Sequence, residues 1–465
     1  DTRQEPDCRQ HLSVHRRPIF QHITPELLKE YPVVLSTTFS SRSNFRAETL
    51  FDYVIMDEAS QVSSETGALA LMCARNAVIV GDSMQLPNVI TDADRLRMQA
   101  IAAKHTIDSR YDCAVLSFLE SVCRVFPEAP QTLLREHYRC HPKIINFCNQ
   151  RFYGGRLLIM TEDHGEPDVI TAWRTAPGHH ARGPFNPREI ETIRREVLPS
   201  LPCEQAEIGI ISPYNEQVNA LHRELGGGID VATVHKFQGR EKEAIILSTV
   251  DDQITAFTDD PNLLNVAVSR AKRQFTLVTS SNEQSDSRNI ADLLAYIDYN
   301  GGKITESAIH SVFDLLYEPY AEARREFLKR HRRISEFDSE NLTYALLERV
   351  LETDPAFRHL GVLCHQPLRQ LIRDWMLLND EERRYASNGA THLDFLIYNR
   401  VSKRPVLAVE TDGYRFHKQG TRQSERDRMK DRILDRYGLP LLRLSTTGTD
   451  EEAKIHTQLT KLLQR

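Results

Sequence analysis

The chain has 465 residues, 40% of which are hydrophobic, and its 59 basic and 65 acidic side chains give a formal net charge of −6. At roughly 150 residues per domain, this length predicts about three globular domains. The near balance of charge excludes a basic surface spread over the whole chain, so a groove for nucleic acid has to be local.

Cysteine usage and hydropathy indicate where the protein works. The eight cysteines include no C-x-x-C pair, which argues against zinc ribbons and disulfide frameworks. Residues 1–20 are charged, and no run of about 18 apolar residues occurs, so the sequence predicts neither a signal peptide nor a membrane partner. We therefore expect a cytoplasmic protein with reduced thiols. Nothing in the sequence indicates its oligomeric state.

In chain order, short apolar runs first alternate with helical patterns, which is typical of α/β folds built on parallel sheets. A mostly helical segment, Ile290–Arg333, follows them. From Ser335 onward the pattern changes to that of a smaller α+β module. The apolar runs predicted to be strands of the α/β part are Val33–Thr37, Tyr53–Met56, Ala77–Val80, Ile208–Ser212, Ala244–Val250 and Phe275–Thr279.

Two of these predicted strands end in polar sets. Asp57 and Glu58 directly follow Tyr53–Met56, at the strand end where ligands of open α/β sheets bind. In that position Asp57 would hold Mg²⁺, and Glu58 would orient and deprotonate an attacking water. The next strand ends in Gly81-Asp82-Ser83-Met84-Gln85, where Gln85 is suited to sense a γ-phosphate. Either set alone has a simpler interpretation as a solvated pair or a turn.

Together, D-E-A-S-Q and G-D-x-x-Q-L-P-x-V resemble motifs II and III of superfamily 1 helicases, in the branch that includes the nonsense-mediated-decay helicase. The resemblance implies two RecA-like lobes that use ATP and Mg²⁺. Further motifs of the branch follow in order. Glu136–Pro142 resembles its Y-R-x-H-P motif, and this implies that Arg139 meets the nucleotide phosphates. Leu264–Lys272 resembles motif VI, and this implies that Arg270 is the arginine finger.

Nucleic-acid contacts are implied by the same resemblance. Ile211–Tyr214 resembles the extended motif that touches the nucleic-acid backbone, and Thr233–Glu241 resembles motif V. In motif V, Gly239 and Glu241 are expected near the nucleotide. Val34–Thr38 resembles the segment before motif II that contacts nucleic acid, but an ordinary buried strand ending in hydroxyls explains it equally well. The residues expected at the nucleic acid are Thr37, Ser212, Pro213, Tyr214, Thr233 and His235.

A P-loop of the form G-x-x-x-x-G-K-[ST] is absent from the sequence, although the phosphate cradle of this family depends on it. The chain also begins with Asp1 rather than methionine. Two explanations remain open: the chain is a fragment of a longer helicase, or a second chain supplies the P-loop. In either case we expect these residues alone to bind ATP poorly.

The C-terminal module contains a second set of carboxylates. A predicted helix, Asn341–Leu351, precedes a predicted hairpin of His392–Asn399 with Pro405–Glu410. Asp394 lies early in the first strand, while Glu410 and Asp412 end the second on one face. These oxygen ligands suit a shared Mg²⁺ site. A helix at Ser424–Arg436 and a strand at Pro440–Leu444 are predicted to follow.

This set resembles the PD-(D/E)XK restriction-endonuclease-like nucleases, and within them the very-short-patch-repair-like (DUF2726-type) appendages of helicases with an E-x-D-G-x-x-x-H pattern. The resemblance implies that Asp394 and Glu410 bind metal and that His417 supports catalysis. Asp412 stands where the usual lysine would be, so its catalytic role is in question. Lys418 or Lys430 is expected to supply the positive charge that this usual lysine would carry. Glu340, Glu348, His365 and His392 are ambiguous, and the basic residues of the helix at 424–436 form either a solvated or a phosphate-contacting face.

The sequence thus predicts an incomplete first RecA-like lobe (1–128), a second lobe (129–285), a helical linker (286–334) and an α+β restriction-endonuclease-like domain (335–465). The predicted function is an ATP-dependent helicase coupled to a Mg²⁺-dependent deoxyribonuclease in DNA repair or defence. Its partner would be nucleic acid, with DNA favoured by the nuclease resemblance. Two alternatives remain: a nucleic-acid-binding fragment with an inactive ATPase, and an RNA-directed helicase.

Overall fold

The computed structural model describes residues 25–42, 49–284, 287–413 and 422–464. The chain forms two compact units. The first comprises Asp1–Tyr138, Cys148–Met160 and Pro261–Val266, and the second comprises Arg139–Phe147, Thr161–Asp260 and Ala267–Arg465. Among the described residues, no helix combines the length and the apolar character needed to cross a membrane.

Strands and α-helices alternate along most of the described chain. The strands are β1 (Phe51–Met56), β2 (Ala74–Ile79), β3 (Glu136–His137), β4 (Leu158–Ile159), β5 (Ile170–Thr175), β6 (Ile208–Ser212), β7 (Asp230–Thr233), β8 (Lys242–Ser248), β9 (Ala271–Ser280), β10 (Ile304–Glu306), β11 (Leu360–Pro367), β12 (His392–Asn399), β13 (Pro405–Asp412) and β14 (Leu441–Ser445). The helices are α1 (Pro25–Glu30), α2 (Thr38–Ser41), α3 (Ser64–Leu71), α4 (Asp92–His105), α5 (Phe118–Val125), α6 (Pro142–Arg151), α7 (Pro187–Thr192), α8 (Leu198–Ser200), α9 (Asn215–Leu225), α10 (Val234–Phe237), α11 (Pro261–Ser269), α12 (Asn289–Tyr299), α13 (Ala321–Arg330), α14 (Asp338–Thr353), α15 (Asp380–Ser387), α16 (Arg422–Arg436) and α17 (Glu451–Leu463).

The first unit contains a two-stranded parallel sheet of β1 and β2. Its small core joins Met56 and Ala59 to Ala70 and Phe118. The predicted strand at Val33–Thr37 is wrong: this segment has no regular secondary structure and is exposed. The physical reason is that no strand in the described part of the chain pairs with it, and an apolar run alone does not satisfy its backbone hydrogen bonds.

The second unit contains a six-stranded sheet in the order β10-β5-β9-β8-β6-β7, with every neighbouring pair parallel. Its strands β6, β8 and β9 confirm the predicted strands at Ile208–Ser212, Ala244–Val250 and Phe275–Thr279 to within a few residues. Strand β10 lies inside the segment expected to be a helical linker. The edge of the sheet accepts this short strand because β5 offers it free backbone groups.

The C-terminal part of the second unit has a four-stranded sheet in the order β11-β12-β13-β14. The pairs β11–β12 and β12–β13 are antiparallel, so the predicted hairpin is confirmed. Side chains alternate between two cores: Phe395, Ile397 and Val409 pack with α14, whereas Leu396 and Ala408 pack with α16. The overall architecture is therefore α/β, with parallel sheets in both units and, in the C-terminal part of the second unit, a further sheet of mixed strand direction.

Candidate functional sites

The carboxylates predicted at motif II lie directly after β1, in the first unit. Asp57 and Glu58 are both exposed, and Glu58 adopts a left-handed backbone conformation with a φ of 53°. The Gln61 side chain donates a hydrogen bond to Glu58 Oε2 at 3.1 Å. A water or an ion can therefore reach both carboxylates from solvent.

Gln85 belongs to a partly buried hydrogen-bond network in the same unit. Its Nε2 atom donates to Asp82 Oδ2 at 3.2 Å, and the hydroxyl of Tyr153 donates to the same oxygen at 2.6 Å. The side chain of Asn265 in turn donates to the Tyr153 hydroxyl and to the carbonyl oxygen of Met84, both at 2.8 Å. The predicted motif III residue is thus tied to the beginning of the predicted motif VI.

A cluster of cations surrounds Glu241 in the second unit. Arg139 forms an ion pair with Glu241, and Lys272 Nζ lies 3.2 Å from Glu241 Oε1. Burial tends to raise the pKa of Glu241, but Lys272, Arg139 and Arg270 outweigh it and hold this pKa below its ordinary value. Arg270 itself is buried and donates to Ser269 Oγ at 3.1 Å. The predicted nucleotide-contacting residues of the Y-R-x-H-P motif and of motifs V and VI therefore lie together, and positive charge exceeds negative charge there. Gly239, two residues before Glu241, has a φ of 77°.

The residues expected at nucleic acid lie mainly at strand ends. Ser212 and Thr233 end the neighbouring strands β6 and β7, Pro213 and Tyr214 follow β6, and His235 is exposed on α10. Tyr214 donates its hydroxyl to Asp251 Oδ1 at 2.9 Å. Thr37 is different, because it lies in the first unit, where it accepts a hydrogen bond from the Ser40 amide and begins α2.

In the C-terminal sheet, Asp394 and Glu410 lie side by side on β12 and β13. The Asp394 amide donates to Glu410 Oε1 at 3.3 Å, and the Thr411 amide donates to Asp394 Oδ2 at 2.9 Å. Burial raises the pKa of both carboxyls, that of Glu410 to about 7. Lys430 of α16, which is also buried, places its Nζ 2.5 Å from Glu410 Oε2. Glu410 and Lys430 thus form a buried pair, and the partly buried Asp394 lies beside it.

These side chains line a cavity of about 350 Å³ at the end of the sheet. Asp412 reaches the same cavity and pairs with Arg443 at 2.9 Å. Glu340 enters from the start of α14 and bonds His365 Nε2 at 3.0 Å. Glu348 lies further along α14, where it accepts a hydrogen bond from Tyr344. His417 and Lys418 lie outside the described residues.

Two features of this cavity are not assigned by the sequence. Lys430 is one of the two lysines that could supply the positive charge of the family's usual lysine. The sequence pattern that could have identified it is its helical spacing from Arg426, which also lines the cavity. No local sequence pattern predicts that Glu340 pairs with His365, because 25 residues separate the two. His365 adopts a left-handed φ of 50° opposite Asp394, a strained conformation for a residue with a Cβ.

Three families match successive parts of the chain. Residues 3–93 match AAA_11 and residues 115–282 match AAA_12, both described as AAA domains. Residues 337–462 match DUF2726, which is described as a protein of unknown function. The DUF2726 match covers the sheet and helices that form the cavity.

Several known proteins are similar to the helicase part of the chain. Over 292 residues it is 27% identical to the uncharacterized ATP-dependent helicase MJ0104 of Methanocaldococcus jannaschii, covering 57% of this chain and 41% of the relative. It is 28% identical to the DNA replication ATP-dependent helicase/nuclease DNA2 of Gallus gallus, and the match covers 54% of this chain and 25% of that relative. It is also 28% identical to the DNA polymerase alpha-associated DNA helicase A of Saccharomyces cerevisiae, and this match covers 52% of this chain and 40% of that relative.

The chain therefore spans less than half the length of these relatives. Among solved structures, an arterivirus helicase, that of PRRSV, aligns with 60% of this chain and 49% of its own at 15% identity, with a TM-score of 0.28. Two of these relatives, MJ0104 and DNA2, are named as ATP-dependent helicases. From its ordered motifs and these matches, the chain carries the AAA domains of superfamily 1 ATP-dependent helicases, followed by a DUF2726 domain.

Proposed function

We propose that the protein is an ATP-dependent DNA helicase–nuclease, in which superfamily 1 translocation is coupled to Mg²⁺-dependent cleavage of phosphodiester bonds. The observation that carries the nuclease half is the cavity lined by Asp394, Glu410 and Lys430, in which buried Glu410 pairs with buried Lys430 and Asp394 lies beside the pair. Perturbed carboxyls grouped in a cleft are the usual signature of a functional site.

The donor set of this cavity fits a hard divalent cation. Asp394 and Glu410 offer carboxylate oxygens, which Mg²⁺ prefers, and Asp412 and Glu340 add negative charge at the rim. Lys430 forms its ion pair with Glu410, so its single charge can balance only one of the two carboxylates. When bound, Mg²⁺ would polarise a phosphodiester and activate the attacking water. The residues that would hold it are Asp394 and Glu410.

The surrounding residues would position and balance these ligands. The Thr411 amide orients Asp394 through Oδ2, and Lys430 holds Glu410 through Oε2. Because Lys430 is buried and faces the cavity, it is also suited to stabilise negative charge that develops on a phosphate. Asp412 is engaged by Arg443, so we assign it a supporting role in orienting the cavity wall and not a metal ligand.

The ATP-related roles follow the motifs in each unit. In the first unit we assign Mg²⁺ binding to Asp57, activation of water to Glu58 and γ-phosphate contact to Gln85. In the second unit, the cations around Glu241 fit an anionic nucleotide, so we assign phosphate contacts to Arg139 and Arg270 and nucleotide contacts to Gly239 and Glu241. The nucleic-acid contacts are assigned to Thr37, Ser212, Pro213, Tyr214, Thr233 and His235.

The exposed apolar side chains of β1 and β2 support the proposal that the P-loop comes from outside these residues. Parallel sheets normally have both faces covered, yet Tyr53 and Ile55 of β1 are 63% and 71% exposed, and Val78 of β2 is 44% exposed. We propose that a further segment or a second chain covers this two-stranded sheet and brings the phosphate-binding loop to it.

DNA is the nucleic acid that the similar proteins favour, because the names of two of them specify DNA. An RNA-directed helicase and a binding module with an inactive ATPase are the competing functions. Carboxyl groups with raised pKa values in a cavity are more typical of a catalytic site than of a simple binding module, which favours the enzyme.

The test is Mg²⁺-dependent cleavage of end-labelled single-stranded DNA by the full chain. Replacing both carboxylates, Asp394→Ala with Glu410→Gln, should lower the rate about 100-fold or more, since loss of metal ligation removes several kcal/mol of transition-state stabilisation. EDTA should abolish cleavage. Asp435→Ala, an exposed carboxylate of α16, serves as the matched control. Cleavage that survives the double change would exclude the nuclease assignment, and equal cleavage of RNA would exclude the preference for DNA.

A further inference from the structure

A strongly basic stretch lies between the helicase part and the DUF2726 domain. Lys329, Arg330, His331, Arg332 and Arg333 follow one another at the end of α13, and we name them the basic ridge. All but His331 are exposed. Lys329 forms an ion pair with Glu326 at 2.9 Å. Within the described part of the chain, the three arginines have no carboxylate at ion-pair distance, so their charge is available to a partner.

The chain after the ridge is held firmly against the start of α14. The amides of Ile334 and Ser335 donate to Asn341 Oδ1 at 2.8 and 3.0 Å, and Asn341 Nδ2 donates to the carbonyl oxygens of Ser335 and Phe337, both at 3.0 Å. Asn341 is buried. Phe337 lines the cavity of Asp394 and Glu410, and its ring is 61% exposed. The ridge therefore ends four residues before the rim of the cavity.

The charge of Arg332 acts on residues of α14 and β11. Burial raises the pKa of Tyr344 on α14 and of Cys364 on β11, and in both cases the positive charge of Arg332 opposes the increase. Cys364 directly precedes His365, which bonds the cavity residue Glu340. Arg332 is thus near α14 and β11, the elements that carry Glu340 and His365.

A second cation flanks the cavity from the other side of the sheet. Arg426 of α16 is exposed and lines the cavity, and α16 packs on the sheet face opposite to α14. A basic side chain thus lies at the α16 wall of the cavity, and the ridge precedes Phe337 at the start of α14. An arrangement of cations along the approach with an exposed aromatic ring at the rim suits a flexible polyanion whose bases can stack.

We propose that the basic ridge and Phe337 bind single-stranded DNA and guide its backbone into the cavity of Asp394 and Glu410. The arginines contact phosphates, for which their planar, forked guanidinium groups are well shaped, and Phe337 stacks on a base. This inference rests on the proposed nuclease function of the cavity, but it concerns binding and is tested without cleavage.

The experiment measures binding of a fluorescent oligothymidylate to the full chain by anisotropy, with EDTA present so that no cleavage occurs. The variant is Arg330→Gln with Arg332→Gln and Arg333→Gln. The matched control removes the same charge from the β12–β13 turn, at the opposite end of the hairpin from Asp394, through Arg400→Gln with Lys403→Gln and Arg404→Gln. Circular dichroism checks that both variants fold.

The ridge variant should bind about 10-fold more weakly, and its slope of log affinity against log salt should fall by about 2, because three phosphate contacts each contribute about 0.7 on a single strand. Phe337→Ala should weaken binding about 10-fold at an unchanged salt slope, as expected for lost stacking. The control variant should change affinity less than about twofold, since its charges lie away from the proposed path.

A local readout separates the ridge from DNA contacts made elsewhere in the chain. A photoreactive benzoylphenylalanine introduced at Phe337 should crosslink to the oligonucleotide, whereas the same group at Val401, which is 85% exposed in the control turn, should not. Equal affinities of the ridge and control variants, or equal crosslinking at both positions, would overturn the proposal. Failure of the nuclease proposal would appear in a different measurement. Cleavage would then survive Asp394→Ala with Glu410→Gln, whether or not the ridge variant binds DNA more weakly.

Discussion

At the scale of single residues, the most informative side chain is Lys430. A buried lysine is costly unless it is paired, and Lys430 is paired at 2.5 Å with Glu410, which is itself buried. Its positive charge lowers the pKa of Glu410, which burial nevertheless raises to about 7. A purely structural pair of this kind could be replaced by apolar residues, whereas an active-site pair could not.

Lys430→Gln should lower the rate of Mg²⁺-dependent DNA cleavage about 100-fold, because the amide cannot stabilise negative charge on the phosphate. Arg428→Gln removes an equal charge from an exposed position of the same helix and should leave the rate within about twofold, since a solvated charge contributes little. The measurement is the initial cleavage rate at saturating Mg²⁺. Similar rates for the two variants would reduce Lys430 to a structural residue.

At the scale of elements, a buried carboxylate of α7 holds the turn after β8. Glu189 accepts hydrogen bonds from Ser248 Oγ at 2.6 Å, from Thr249 Oγ1 at 3.1 Å and from the Val250 amide at 3.0 and 3.1 Å. Val250 has a φ of 73°, a strained conformation for a β-branched residue. Helix α7 thus stabilises the strained end of its neighbouring strand. Burial raises the pKa of Glu189 to about 8, although all these donors oppose the increase.

This raised pKa predicts that stability falls with increasing pH. The folded state retains a proton on Glu189 up to about pH 8, whereas the unfolded chain loses it near the ordinary value of 4.5. The folded state therefore binds more protons between these values, and the contribution to the free energy of unfolding is lost as the pH rises through that window.

Glu189→Gln should remove the pH dependence that Glu189 contributes, because the amide does not titrate. Urea unfolding midpoints of the wild type and the variant, measured at several pH values between 4.5 and about 8, check this. The difference between the two proteins should change steadily in favour of the variant as the pH rises. A constant difference would show that Glu189 has the same pKa in the folded and unfolded states.

At the scale of the whole molecule, the second unit joins its two sheets through a buried ion pair. Arg188 of α7 donates to both carboxylate oxygens of Asp314, at 2.8 and 3.0 Å, and to the carbonyl oxygen of Ile309. Asp314 follows Phe313, which packs into the core formed by α14 and the four-stranded sheet. The pair therefore anchors the segment that leads from the six-stranded sheet to the residues matching DUF2726, within one compact unit.

Arg188→Met should lower the free energy of unfolding by about 3–5 kcal/mol, because it leaves the Asp314 charge buried without its counter-charge. Adding Asp314→Leu should recover most of this loss, since an apolar pair of similar volume avoids the desolvation cost. Denaturant unfolding measures both effects, and limited proteolysis between residues 317 and 336 should be faster in the single variant only. Equal stability of the single and double variants would mean that the charge is not desolvated.

Local sequence patterns determined a large part of this protein. Apolar runs and their period predicted most strands and the C-terminal hairpin, and the spacing of Asp57-Glu58 and Gly81-Asp82-x-x-Gln85 indicated a helicase. The period of two also predicted that Glu410 and Asp412 share a face of β13. These features depend on residues close in the chain, where propensity and periodicity act.

Tertiary structure alone decided the remaining features. It paired Lys430 with Glu410, engaged Asp412 with Arg443, added β10 to the six-stranded sheet and left Val33–Thr37 without a strand. Each outcome depends on which distant segment supplies a hydrogen bond, a counter-charge or an edge. Such partners are selected by the packing of the whole chain, so no local pattern records them.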